Sequence, residues 1–120
     1  MTTKRILFLL RQFPYGSSHA VEALEAVLVA GVFEQAVSVL FKDDGVWQLI
    51  EDQDGDELGV RTVAKVLQSL PEYEVSKLYV CEASLALRGL ELDDLVLPAT
   101  LIPLADQARL LAEQDAVVND

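Results

Sequence analysis

The feature that most constrains this chain is the uninterrupted apolar run Ile6-Leu7-Phe8-Leu9-Leu10 near its start. A strand with one face in water alternates apolar with polar residues; a run without alternation is how a strand reads when helices cover both faces of its sheet. Val37 to Phe41, β-branched and apolar, reads as a second buried strand, and Lys77 to Cys81 reads as a third. Phe13-Pro14-Tyr15-Gly16-Ser17-Ser18 breaks the first run, Lys42-Asp43-Asp44-Gly45 the second.

Helical patterns lie between these runs. Ser17 or Ser18 is placed to cap a helix whose apolar positions Val21, Leu24, Leu28 and Val32 form one stripe, with Gly31 at its end. After the second strand, Val46-Trp47-Gln48-Leu49-Ile50 fits a short helix capped by Asp43 or Asp44, then a polar loop from Glu51 to Gly55. Val60, Val63, Ala64 and Leu67 match the helical spacing, and Pro71 stops that helix. Ser84 to Arg88 reads as a brief helix with Gly89 at its C-terminus. Leu95 to Ile102 reads as a fourth strand, and Pro98 within it, which has no N–H to donate, sends it to a sheet edge. Leu104, Ala108, Leu111 and Ala112 form a last helical stripe with Asp106 in its first turn, before a short fifth strand at Ala116-Val117-Val118. The alternation predicts an α/β fold: one domain over residues 1–120, with five mostly parallel strands between two helix layers.

Composition narrows the function. Hydrophobic residues make up 52% of the chain, which excludes a disordered segment. Nine Lys and Arg against 20 Asp and Glu give a net charge of −11, which repels a phosphate backbone and an anionic membrane surface alike. Direct binding of nucleic acid or membrane is therefore not expected. The surplus of apolar residues in so acidic a chain points to a well-filled core and an apolar face covered by a partner. Cys81 is the one cysteine, so neither an internal disulfide nor a thiolate metal cluster can form, and the expected compartment is the cytoplasm. The first apolar run is too short for a signal peptide or a membrane span.

In an open parallel sheet, reactive groups gather beyond the carboxyl ends of the strands, here Arg11 to Ser18, Asp43 to Gly45 and Cys81 to Ser84. At a helix start Cys81 meets free N–H groups that favour a thiolate, while burial and the neighbouring Glu82 oppose it. His19, in a first turn where an imidazolium is disfavoured and with no second histidine, reads as a surface residue. Asp43 and Asp44 read as capping and turn residues, Phe41 and Trp47 as core or interface. Gly16 is the only glycine of its loop and no phosphate-binding motif is present, so no cofactor and no metal is expected.

Three strings in order carry a resemblance: Phe13-Pro14-Tyr15-Gly16, Asp44-Gly45-Val46-Trp47-Gln48-Leu49, and Val80-Cys81-Glu82-Ala83-Ser84-Leu85 with Arg88-Gly89-Leu90. From Lys4 to Val118 the chain resembles the DsrE/DsrF family of sulfur-relay proteins, nearest its TusC or DsrF-like subunits. The resemblance implies a three-layer α/β/α fold with strand order 4-3-2-1-5. It also implies TusB-like and TusD-like partner subunits in a heterohexamer, a dimer of heterotrimers. Such a complex passes persulfide sulfur between donor and acceptor proteins toward 2-thiouridine at the wobble position of tRNA; DsrE, DsrF and DsrH counterparts serve sulfur oxidation. In the family the sulfur-carrying cysteine belongs chiefly to the TusD or DsrE subunit, at a position Cys81 matches. The resemblance makes Cys81 the candidate persulfide carrier, while the acidic neighbour Glu82 favours a structural, non-catalytic subunit. The remaining alternative is a flavodoxin-like small-ligand binder.

Overall fold

The structure, a computed structural model, describes residues 4–11, 19–33, 36–50, 67, 69–70, 75, 77–95 and 97–119. The chain runs through β1 (Arg5–Leu10), α1 (His19–Val32), β2 (Ala36–Phe41) and a 3₁₀ segment (Asp43–Leu49). It continues through β3 (Lys77–Cys81), α2 (Glu82–Leu87), a 3₁₀ turn (Leu92–Asp94), β4 (Thr100–Ile102), α3 (Leu104–Ala112) and β5 (Ala116–Asn119). The five strands form one parallel sheet in the order β4-β3-β2-β1-β5. That is the three-layer α/β/α arrangement and strand order expected.

The order explains the two layers. From β1 to β4 the chain steps one way across the sheet, and from β4 to β5 it returns the whole width. Right-handed crossovers in opposite directions put their helices on opposite faces. The core divides accordingly: Phe8 and Leu10 of β1 pack with Leu24, Val27, Val37, Val39 and Phe41, while Leu7 and Leu9 pack with Leu40, Ile102, Leu110 and Leu111. Phe41 is fully buried, as a core residue should be.

Several local expectations shift. In α1 the buried pair is Leu24 and Val27, whereas Val32 is 60% exposed and Gly31 lies inside the helix. Asp43 and Asp44 do not cap: Lys42 holds the cap position of the 3₁₀ segment without a side-chain bond, and both carboxylates bind arginines instead. α2 starts at Glu82, earlier than expected, and ends as expected at Gly89, whose φ of +67° accompanies bonds from Gly89 N–H to Ala86 and from Leu90 N–H to Leu85. β4 does lie at the edge, but with three residues it excludes Pro98. In α3, Leu104 is 57% exposed and Gln107 is buried in its place. The expected Glu51 to Gly55 loop, the helix from Val60 and the loop residues 12–18 lie outside the described residues; of that helix stripe Leu67 is described, and it is fully buried.

Candidate functional site

Four strand ends converge around Cys81. Cys81 closes β3 opposite Ile102, the last residue of β4, and its position in the strand turns its side chain to the α3 side of the sheet, as for Tyr79. Pro103 then turns the chain into α3, whose fourth residue, Gln107, comes back over the strand ends. Its Nε2 donates to the Ile102 carbonyl at 3.2 Å and to the Cys81 sulfur at 3.1 Å. The Ile102 oxygen only accepts, which fixes the amide nitrogen on that side. Gln107 Oε1 is buried and has no hydrogen-bond partner among the described residues.

On the other flank stands Ser84. Its hydroxyl accepts the Asp43 N–H at 3.0 Å, leaving its own proton to face the sulfur. Asp43 reaches this position with a φ of +51°, tolerated by a short polar side chain, and its carboxylate takes the Arg11 guanidinium at 2.8 Å. Arg88 bridges the Ser84 carbonyl at 3.1 Å and the Asp44 carboxylate at 3.0 Å. Gly45 allows the 3₁₀ segment to cross the end of β1, where a side chain would overlap the Leu10 carbonyl.

The Cys81 side chain is 1% exposed. Burial pushes the thiol up, but hydrogen bonding from the Ser84 hydroxyl, the Gln107 amide and the Ser84 backbone N–H, with the charge of Lys42, outweighs it and leaves the pKa below the ordinary thiol value. The cation that supports the thiolate is thus Lys42, just past the end of the neighbouring strand β2.

Of the expected positions, the structure brings Arg11, Asp43, Asp44, Cys81 and Ser84 together at the carboxyl ends of the strands. His19 begins α1, and its side chain lies outside the described residues. Trp47 is half-buried in the 3₁₀ segment. Sequence reasoning missed Gln107 and Lys42; the signal for Gln107 was a polar residue set among the apolar positions of a helix that has to bury one face. Among the described residues no group of three His, Cys, Asp or Glu side chains is arranged to hold a metal, and no helix is long and apolar enough to cross a membrane.

This architecture has relatives. The ychN protein of E. coli superposes with a TM-score of 0.80 at 18% identity, over 98% of this chain and all of that one. A protein of unknown function from Methanobacterium thermoautotrophicum does so with a TM-score of 0.73 at 16% identity, over 98% and 99% of the two chains. In sequence the chain is 41% identical over 130 aligned positions to the intracellular sulfur oxidation protein DsrF of Allochromatium vinosum, covering 97% of this chain and 96% of the relative. Residues 4–119 match the model of the DsrE/DsrF-like family, and to that family the chain belongs.

Proposed function

We propose that the chain is a DsrF-like subunit of a multi-subunit sulfur relay, in which it shapes and stabilises the assembly while another subunit carries the sulfur. The observation behind this is the burial of Cys81 beneath Gln107. Persulfide transfer needs attack by a second protein's thiolate on the outer sulfur, so a carrier's sulfur has to be reachable. The test uses the assembled complex, with this chain's partners of TusB and TusD or DsrE and DsrH type. After incubation with a persulfide donor, mass spectrometry should find no added sulfur on Cys81, and the Cys81→Ser complex should turn over like the unaltered one. Sulfur that loads on Cys81 and moves on to the acceptor would overturn the structural role.

The lowered thiol pKa favours the second reading, in which Cys81 is itself a carrier. In that case Gln107 has to swing aside in the complex, and Cys81→Ser abolishes transfer with the complex intact.

For the pathway, the likeness to DsrF supports sulfur oxidation over the 2-thiouridine branch. Deleting the chain should then halt sulfur oxidation in its own cells and leave wobble 2-thiouridine in tRNA digests unchanged; loss of the thiouridine would reverse the assignment.

A further inference from the structure

On the face of α2 away from the ion pairs runs an open groove of about 360 Å³, between that helix and the 3₁₀ turn Leu92–Asp94. Its floor is apolar, built from Leu85, Ala86, Leu90 and Leu101, and its rim is acidic, with Glu82, Glu91 and Asp93 and no basic residue among the described residues. Glu91 is committed to the capping box with Asp94. Glu82 and Asp93 pair with no cation among the described residues. Leu92, which also lines the groove, is 44% exposed, and Leu87 on α2 is 84% exposed.

We propose that this groove docks a segment of a partner protein that carries an apolar anchor side chain flanked by Lys or Arg. The apolar floor supplies the burial that fixes such an anchor, and the unpaired carboxylates on the rim select and steer the flanking cations. Small polar ligands are disfavoured, because their sites need donors as well as acceptors, and the described lining offers carboxylate acceptors over an apolar floor. Nucleic acid is repelled by the same acids. A second copy of this chain is disfavoured too, since each carries a net charge of −11. The inference stands for either role of Cys81.

The full-length chain with a photo-crosslinking amino acid at Leu92 is expressed in its native cells, and crosslinked peptides are sequenced by mass spectrometry. The expected product joins Leu92 to an apolar residue with Lys or Arg within a few positions of it, in a different protein, and disappears in the Glu82→Lys/Asp93→Lys double variant. A peptide of the crosslinked sequence should then bind the unaltered full chain about tenfold more tightly than the double variant, with the difference shrinking at high salt. Thermal unfolding of the double variant checks that it is folded, and Glu82→Gln/Asp93→Asn replaces it if it is not. A crosslink to a second copy of this chain, a crosslink to a segment without basic residues, or no crosslink at all would each overturn the proposal.

Discussion

The Gln107 amide nitrogen lies 3.1 Å from the Cys81 sulfur, and the same nitrogen is held 3.2 Å from the carbonyl of Ile102. This side chain therefore covers the thiol and donates to it at once. Gln107→Ala removes the cover. The alkylation rate of Cys81 by iodoacetamide, compared at equal thiolate fraction, should rise about tenfold or more, equivalent to about 1.4 kcal/mol of opening no longer required. Equal rates in the two proteins would mean that the sulfur is screened by something else.

Lys42 acts on the thiol through charge alone, so its removal separates electrostatics from access. Lys42→Gln should raise the Cys81 pKa, read from thiolate absorbance against pH, without changing the alkylation rate at equal thiolate fraction.

The lowered thiol pKa also links stability to pH. A folded-state pKa below the unfolded one means that the folded chain releases its proton first, so the thiolate's contribution is complete above the unfolded value of about 8.5 and is lost as pH falls through the folded value. Denaturant unfolding of the unaltered chain and of Cys81→Ser should give a stability difference that grows in favour of cysteine as pH rises toward that value. A difference that shrinks would contradict the direction of the shift.

Much of the frame was readable because it depends on local pattern. The run at 6–10, the β-branched run after it and the residues that stop each of them are consecutive in the chain, and β1 and β2 lie where those patterns put them. The site was half readable for a similar reason: Cys81 ends a strand, Arg11 and Asp43 come just after strands, and a parallel sheet has to gather its strand ends. Gln107 and Lys42 escaped because their importance comes from neighbours far along the chain. Gln107 matters only because α3 lies over the ends of β3 and β4, and Lys42 only because β2 adjoins β3. In α1 the stripe was misaligned because apolar residues run most of the way round the helix, so periodicity did not say which face meets the sheet: Ala23, Leu24, Val27 and Ala30 pack on the core, and Val32 points away from it.

Two glycines should answer differently to the same substitution. Gly45→Ala forces a methyl into the backbone of Leu10, whose carbonyl carbon would sit 2.7 Å away, and neither strand end can yield. Its cost should exceed about 2 kcal/mol. Gly89→Ala meets no atom within 4 Å and suffers only from its φ of +67°, about 1 kcal/mol. Chemical denaturation of both variants checks the order, and comparable losses would refute the close approach at Gly45.

Arg88 adds a second tie between the 3₁₀ segment and α2, beside the Asp43 N–H bond to Ser84. One of its terminal nitrogens donates to the Ser84 carbonyl at 3.1 Å and the other to Asp44 at 3.0 Å, from a side chain only 21% exposed. A planar fork can hold both acceptors; a single ammonium cannot span them. Arg88→Lys should therefore destabilise the chain by about 1 kcal/mol, nearly the loss of one hydrogen bond, even though the charge is kept. Asp44→Asn should cost less, since that carboxylate is 58% exposed and its ion pair is screened by water and salt. Raising the salt concentration should erase most of the Asp44 effect and little of the Arg88→Lys effect, because the bond to the Ser84 carbonyl does not depend on the carboxylate. Unfolding curves for both variants at low and high salt make the comparison, and an Arg88→Lys variant as stable as the unaltered chain would show that holding both acceptors at once adds nothing to stability.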